Sequence, residues 1–145
     1  MNFSHVNIVA RDTDKLADFY KEVFGCEDRS LRESISGEKP SLAMGLPNTE
    51  FYAAWLNLPG VDGPYLEIFQ FKEFEECTPP SANRIGLAHL AFDVEDLSAV
   101  CDAVVAAGGS AFGEVASFEE AGKILFSFVF MRDPEGNLLD LKQRF

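Results

Sequence analysis

The chain holds two histidines, His5 and His89, and each opens a stretch of the same design. "HVNIVARDTDKLADFYKEVFG" runs from His5 to Gly25 and "HLAFDVEDLSAVCDAVVAAGG" from His89 to Gly109, the glycine standing 20 positions after the histidine in both. A second pair of stretches matches further on. "DGPYLEIFQ" lies over "EGNLLDLKQ", pairing Gly63 with Gly136, Leu66 with Leu139, Glu67 with Asp140 and Gln70 with Gln143. Taken singly, a strand histidine is more often a hydrogen-bonded core or surface residue than a ligand, and a strand carboxylate is usually solvated. The coincidence of all four at equivalent places of a repeat favours a metal site. His5, Glu67, His89 and Asp140 would form an N2O2 donor set suited to a divalent transition ion such as nickel, zinc, iron, manganese or cobalt, with two octahedral positions left open.

The elements that must position these side chains are legible. Val6, Ile8 and Ala10 alternate with His5, Asn7 and Val9, the period of a strand with one apolar face. Asp12 or Thr13 then caps a helix whose Leu16, Phe19, Tyr20, Val23 and Phe24 share one stripe, and Gly25 ends it. Leu90, Phe92 and Val94 repeat the strand, Leu97, Val100, Cys101, Val104 and Val105 repeat the helix, and Gly108 and Gly109 stop it. Glu67 and Asp140 alternate with Leu66 and Ile68, or Leu139 and Leu141, so each carboxylate takes the face opposite the aliphatic one. Each half has room for two more strands, about 28–36 and 51–58 in the first and about 110–116 and 124–131 in the second. The pattern is strand, helix, three strands, written twice.

Module 1 spans about 1–72, a linker about 73–85 contains Thr78-Pro79-Pro80, and module 2 spans about 86–145, all within one domain of 145 residues. From His5 to Glu67 is 62 residues and from His89 to Asp140 is 51. The excess falls in "SGEKPSLAMGLPNTE", a loop or short helix of the kind that sets substrate selectivity.

Composition narrows the function. A net charge of -12 argues against nucleic acid and anionic membrane and leaves a small-molecule substrate. Cys26, Cys77 and Cys101 form no CxxC pair and read as reduced thiols. With no secretory pattern and no apolar run of spanning length, the chain reads as cytoplasmic. Fourteen phenylalanines must line a core, a cavity or an interface. Phe126, Phe128 and Phe130 share one strand face, with Trp55 expected opposite them across a cavity, and Arg132 on the same parity is a candidate anchor for a substrate carboxylate.

Through "SHVNIVARDTDKLADFYKEVFG", "YLEIFQF", "GLAHLAFDVEDL" and "RDPEGNLLDL", the sequence resembles the vicinal oxygen chelate superfamily of glyoxalases, bleomycin-resistance proteins and extradiol dioxygenases. That resemblance implies an α+β fold of two βαβββ modules in tandem, forming a curved mixed sheet around a metal-site cavity with helices on the outer face. It implies a homodimer, with some relatives building each site across two chains. His5, Glu67, His89 and Asp140 stand where glyoxalase I-like and epimerase-like members carry ligands, although the last position is more usually glutamate. The implied activity is that of a metal-dependent lyase or isomerase of the glyoxalase kind, stabilising an enediolate, with Glu67 the first candidate base and Asp140 the second. A ferrous extradiol dioxygenase is the rival enzyme, ranked lower because the chain has no third histidine for proton transfer. A metal-free, drug-sequestering binder is the alternative from another class.

Overall fold

The structure, a computed structural model, describes all 145 residues. The fold is α+β, with two similar modules in tandem. The chain divides into two compact units, Met1–Cys77 and Thr78–Phe145. No helix is long and apolar enough to cross a membrane.

The first unit runs β1 (His5–Val9), α1 (Thr13–Phe24), β2 (Glu27–Asp28), β3 (Glu33–Ser36), α2 (Glu38–Met44), β4 (Glu50–Asn57) and β5 (Tyr65–Phe71). Its sheet is mixed: β1 pairs in parallel with β5, β5 runs antiparallel to β4, and β4 carries both β2 and β3. Asp12 caps α1 by accepting the Lys15 amide at 2.9 Å, and Gly25 closes it at φ 69°, a left-handed conformation that glycine adopts without steric cost. Leu16, Phe19 and Tyr20 are buried on its inner stripe, against the sheet face where Ala54, Leu56, Leu66 and Ile68 are also buried. Gln70, on that face of the last strand, accepts the Thr13 amide at 3.1 Å and ties the helix start to the sheet.

The second unit repeats the plan with β6 (His89–Asp93), α3 (Leu97–Ala106), β7 (Ser110–Ala111), β8 (Ala116–Glu120), β9 (Lys123–Arg132) and β10 (Leu138–Arg144). β6 lies parallel to β10, β10 antiparallel to β9, and β9 carries β7 and β8. Asp96 accepts the Ala99 amide at 3.0 Å, and Gln143 accepts the Leu97 amide at 3.0 Å, reproducing both bonds of the first unit.

The third element of each module differs from expectation. In place of one strand over 28–36 there are two pieces, because residues 29–32 leave the ladder after the Arg29 amide meets the Trp55 carbonyl at 2.8 Å, and Leu31 is 90% exposed. In the second unit the Phe112 and Gly113 amides both reach the Phe130 carbonyl, at 3.3 and 2.9 Å, and this bulge ends β7. β8 runs past residue 116 because Ala121 and Gly122, both at positive φ, make a tight hairpin into β9. The insertion of the first unit forms α2, which buries none of its side chains.

Candidate functional site

Strand register decides what each histidine meets. In the first unit His5 lies opposite Tyr65 and Asn7 opposite Glu67, with Trp55 opposite Glu67 from the other side. Alternation puts His5, Asn7, Trp55, Tyr65 and Glu67 on the sheet face away from α1. The Trp55 indole donates to Glu67 Oε1 at 2.7 Å, the Asn7 amide donates to Oε2 at 3.2 Å, and His5 Nε2 lies 3.4 Å from that same Oε2. The other imidazole nitrogen, Nδ1, is 3.1 Å from Ser4 Oγ, and the ring stands 5.0 Å from that of Tyr65.

In the second unit His89 lies opposite Leu138, Ala91 opposite Asp140, and Phe130 opposite Asp140 on the antiparallel side. The register is that of the first unit, and again Nε2 faces the carboxylate, with His89 4.0 Å from Asp140 Oδ2. The surroundings differ. Ala91 and Phe130 stand where Asn7 and Trp55 do, so neither can donate a hydrogen bond. Asp140 is buried, Lys142 Nζ reaches only to 3.9 Å from Oδ2, and Oδ1 has no partner at all. Leaving such an oxygen unmet costs about 1–3 kcal/mol, and more when it is charged.

Each unit thus brings together one imidazole and one carboxylate, and no three His, Cys, Asp or Glu side chains gather within either. Phe126, Phe128, Phe130 and Arg132 share the face of Asp140, all half-buried. Phe130 meets the His89 ring edge-on at 5.1 Å, and Phe118 stacks on Phe126 at 5.4 Å. Arg132 donates to the carbonyls of Gly136 and Pro80, the latter at 2.9 Å, and lies over the Phe112 ring. Burial pushes the Cys26 thiol up to about 11, and burial followed by Asp102 raises Cys101, so neither is an activated nucleophile.

Some residues of this face escaped the sequence reading. Asn7 and Tyr65 share the parity of His5 and Glu67, and that parity was the available signal. Phe51, Phe69 and Phe71 form an aromatic cluster on the same face, with Phe51 4.2 Å from Phe69. A cavity of about 260 Å³ is lined by Arg29, Ser30, Glu33, Trp55 and Tyr65. Arg29 sits in the break between β2 and β3, where no periodicity pointed to it. A larger cavity of about 680 Å³ lies against α2 between Leu42, Leu46 and Pro47 and touches none of the four predicted ligands.

Residues 2–141 match the model of the Glyoxalase/Bleomycin resistance protein/Dioxygenase superfamily. The chain belongs to that superfamily. Among solved structures, a glyoxalase family protein from Bacillus cereus is similar at TM-score 0.88 and 21% identity, over 100% of this chain and 95% of that one. A glyoxalase family protein from Enterococcus faecalis is 25% identical at TM-score 0.61, over 97% of this chain and 96% of that one. A glyoxalase I mutant from Zea mays shares 19% identity at TM-score 0.66, over 99% of this chain and 44% of its own. The Bacillus and maize likenesses are likenesses of superfamily fold. Among curated proteins none matches the chain significantly.

Proposed function

We propose that this superfamily member is a divalent-metal-dependent lyase or isomerase of the glyoxalase kind, acting on a small substrate with neighbouring oxygens. His5, Glu67, His89 and Asp140 are its ligands. The observation that carries the reading is the repeated register: twice, an imidazole Nε2 faces a carboxylate oxygen from the first and last strands of a module, at 3.4 and 4.0 Å. The donors fit such an ion, because two imidazoles and two carboxylates match the preference of first-row divalent ions, and the buried Asp140 Oδ1 lacks any protein partner. The chemistry the ion supplies is Lewis acidity toward two neighbouring substrate oxygens, which lowers the cost of an enediolate. Glu67 is the base. Trp55 and Asn7 hold its two oxygens in place, so the carboxylate is oriented before the substrate arrives.

Exposed Phe112, Val115, Phe118, Ile124 and Leu125 support a homodimer, checked by the solution mass from light scattering. The test of the activity begins with elemental analysis of untagged protein. About one transition ion per chain is expected, with loss in both His5→Ala and His89→Ala. Glu67→Gln that retains metal is expected to lose exchange of a substrate α-proton into D2O, and unchanged turnover in that variant would remove Glu67 as the base. Binding of a drug-like ligand without metal and without turnover would instead make the chain a sequestering protein. Oxygen uptake with catechol and ferrous ion would make it a dioxygenase.

A further inference from the structure

The corner of each sheet beside the histidine carries an arginine, but the two arginines come from opposite strands. Counting from the paired residues Glu27 and Asn57, or Ser110 and Arg132, Arg29 is the counterpart of Phe112 and Asn57 the counterpart of Arg132. In the second unit the strand residue is the cation, and it is used on the main-chain carbonyls of Gly136 and Pro80. In the first unit the cation comes from the break between β2 and β3 and meets neutral groups. Arg29 donates to Asn57 Oδ1 at 2.9 Å and lies over the Tyr65 ring at 4.6 Å, with no carboxylate within ion-pairing distance. Arg84 and Arg132 likewise meet no carboxylate, but both are bonded to main-chain carbonyls, whereas Arg29 donates to a side chain at the rim of a cavity. Three residues on, Arg32 meets Asp14, Asp18 and Asp28.

Arg29 also lines the 260 Å³ cavity, together with Ser30, Glu33, Trp55 and Tyr65. Two walls of that cavity touch the pair described above: Trp55 donates to Glu67, and the Tyr65 ring stands 5.0 Å from that of His5. One aromatic ring therefore separates the guanidinium from the imidazole. A single planar group of the substrate spans that step and packs against Trp55. Glu33 on the same rim penalises a second negative charge, and the acidic surface repels polyanions.

We infer that Arg29 binds the anionic end of the substrate, a monoanionic aryl carboxylate whose neighbouring oxygens, on a side chain that carries the exchangeable α-proton, lie at the His5 and Glu67 end. This rests on the metal-dependent reading above. Arg29 is exposed, so its replacement leaves the fold intact, and with Nη1 bonded to Asn57 the guanidinium keeps its remaining N–H donors for a carboxylate.

The test uses metal-loaded protein with two probes, catechol and 3,4-dihydroxybenzoate, which share the neighbouring oxygens and differ by a carboxylate. Binding is followed by calorimetry and by the fluorescence of Trp55, the only tryptophan in the chain. Wild type is expected to prefer dihydroxybenzoate by about tenfold or more. Arg29→Ala should bind the two within about twofold of each other, Arg29→Lys should keep part of the preference, and Glu33→Gln should strengthen it. Metal content should be unchanged in all three. If catechol binds wild type as tightly as the acid, or the preference survives in Arg29→Ala, the anion subsite is wrong while the metal reading stands. If neither probe binds wild type whose metal content is confirmed, the subsite is wrong while the metal reading stands; if wild type takes up no metal, the metal-site reading fails and the subsite falls with it.

Discussion

In the first unit the large side chains sit under the helix, where Leu16, Phe19 and Tyr20 are buried between α1 and the sheet. The same positions of α3 hold Val100, Ala103 and Val104, and of these only Val104 is fully buried. The seam between helix and edge strand differs as sharply. In the first unit Arg32 meets Asp14, Asp18 and Asp28, and Lys21 reaches Asp28 at 2.7 Å. In the second, Lys21, Asp28 and Arg32 are replaced by Val105, Ala111 and Val115, all exposed. Yet the aspartate N-caps, the glutamine tie and the register of histidine against carboxylate are the same. A duplicated module can therefore lose bulk from its helix layer and charge from its rim while the few bonds that set strand position persist, and those bonds place the chemistry.

The largest test of this contrast is in the helix layers. Tyr20→Ala should cost about 3–5 kcal/mol in urea unfolding, and Val104→Ala about 2 kcal/mol, because the smaller side chain gives up less buried area. Equal losses would show the two layers to be energetically alike. Next comes the pair of terminating glycines. Gly109 is hemmed in, since a Cβ there would collide with the Arg132 carbonyl oxygen and lie 2.7 Å from Val104 Cγ1, whereas around Gly25 the space is open and only the backbone angle is demanding. Gly109→Ala should cost about 3 kcal/mol by overpacking, and Gly25→Ala about 1 kcal/mol by left-handed strain.

The carboxylates should respond with opposite signs. Glu67→Gln disturbs a group held by two donors and should lower the stability of the metal-free protein by about 1 kcal/mol. Asp140→Asn removes a buried charge whose Oδ1 has no partner, so the same denaturation experiment should find stability unchanged or raised. A loss at Asp140 equal to that at Glu67 would reveal a partner for it.

The rim gives the smallest effect. Lys21→Val, which copies the second unit, should cost at most about 1 kcal/mol and nothing measurable in about 1 M salt. Its pH dependence has a definite sign. The hydrogen bond from Lys21 holds the Asp28 carboxyl below its ordinary value, so this contribution is complete above the unfolded-state value and fades as the pH falls through the folded one. The variant should accordingly lose part of the acid slope of its stability profile.

The sequence was most legible where period and punctuation coincide. Alternation from His5 to Ala10 and the helical stripe from Leu16 to Phe24 sit between Asp12 and Gly25, so local chemistry fixes both the elements and their limits. The face shared by His5, Glu67 and Trp55 follows from parity alone. The breaks at residues 29–32 and after Ala111 were hidden, because a bulge is fixed by which carbonyl an amide finds across the sheet, and that partner lies 26 residues on for Arg29 and 18 for Phe112. Arg29 owes its position to such a break, as no local pattern distinguishes it from the ion-paired arginine at residue 32. Which arginine of a corner is held by carbonyls and which faces a cavity is a property of the folded neighbourhood.

Each unit is fastened end to end, first strand against last, and this bears on how a nascent chain acquires its shape. The Thr13 amide waits for Gln70, 57 residues later, and the Leu97 amide for Gln143, 46 residues later. While the ribosome is still making the stretch between them, α1 has a cap but no floor, since β4 and β5 are the last parts of its unit to emerge. Contacts of such long reach form slowly, and each helix must remain in loose equilibrium until its final strand arrives. The histidine and its carboxylate belong to the strands joined in that closing step, so in vectorial synthesis the two side chains of each unit meet last.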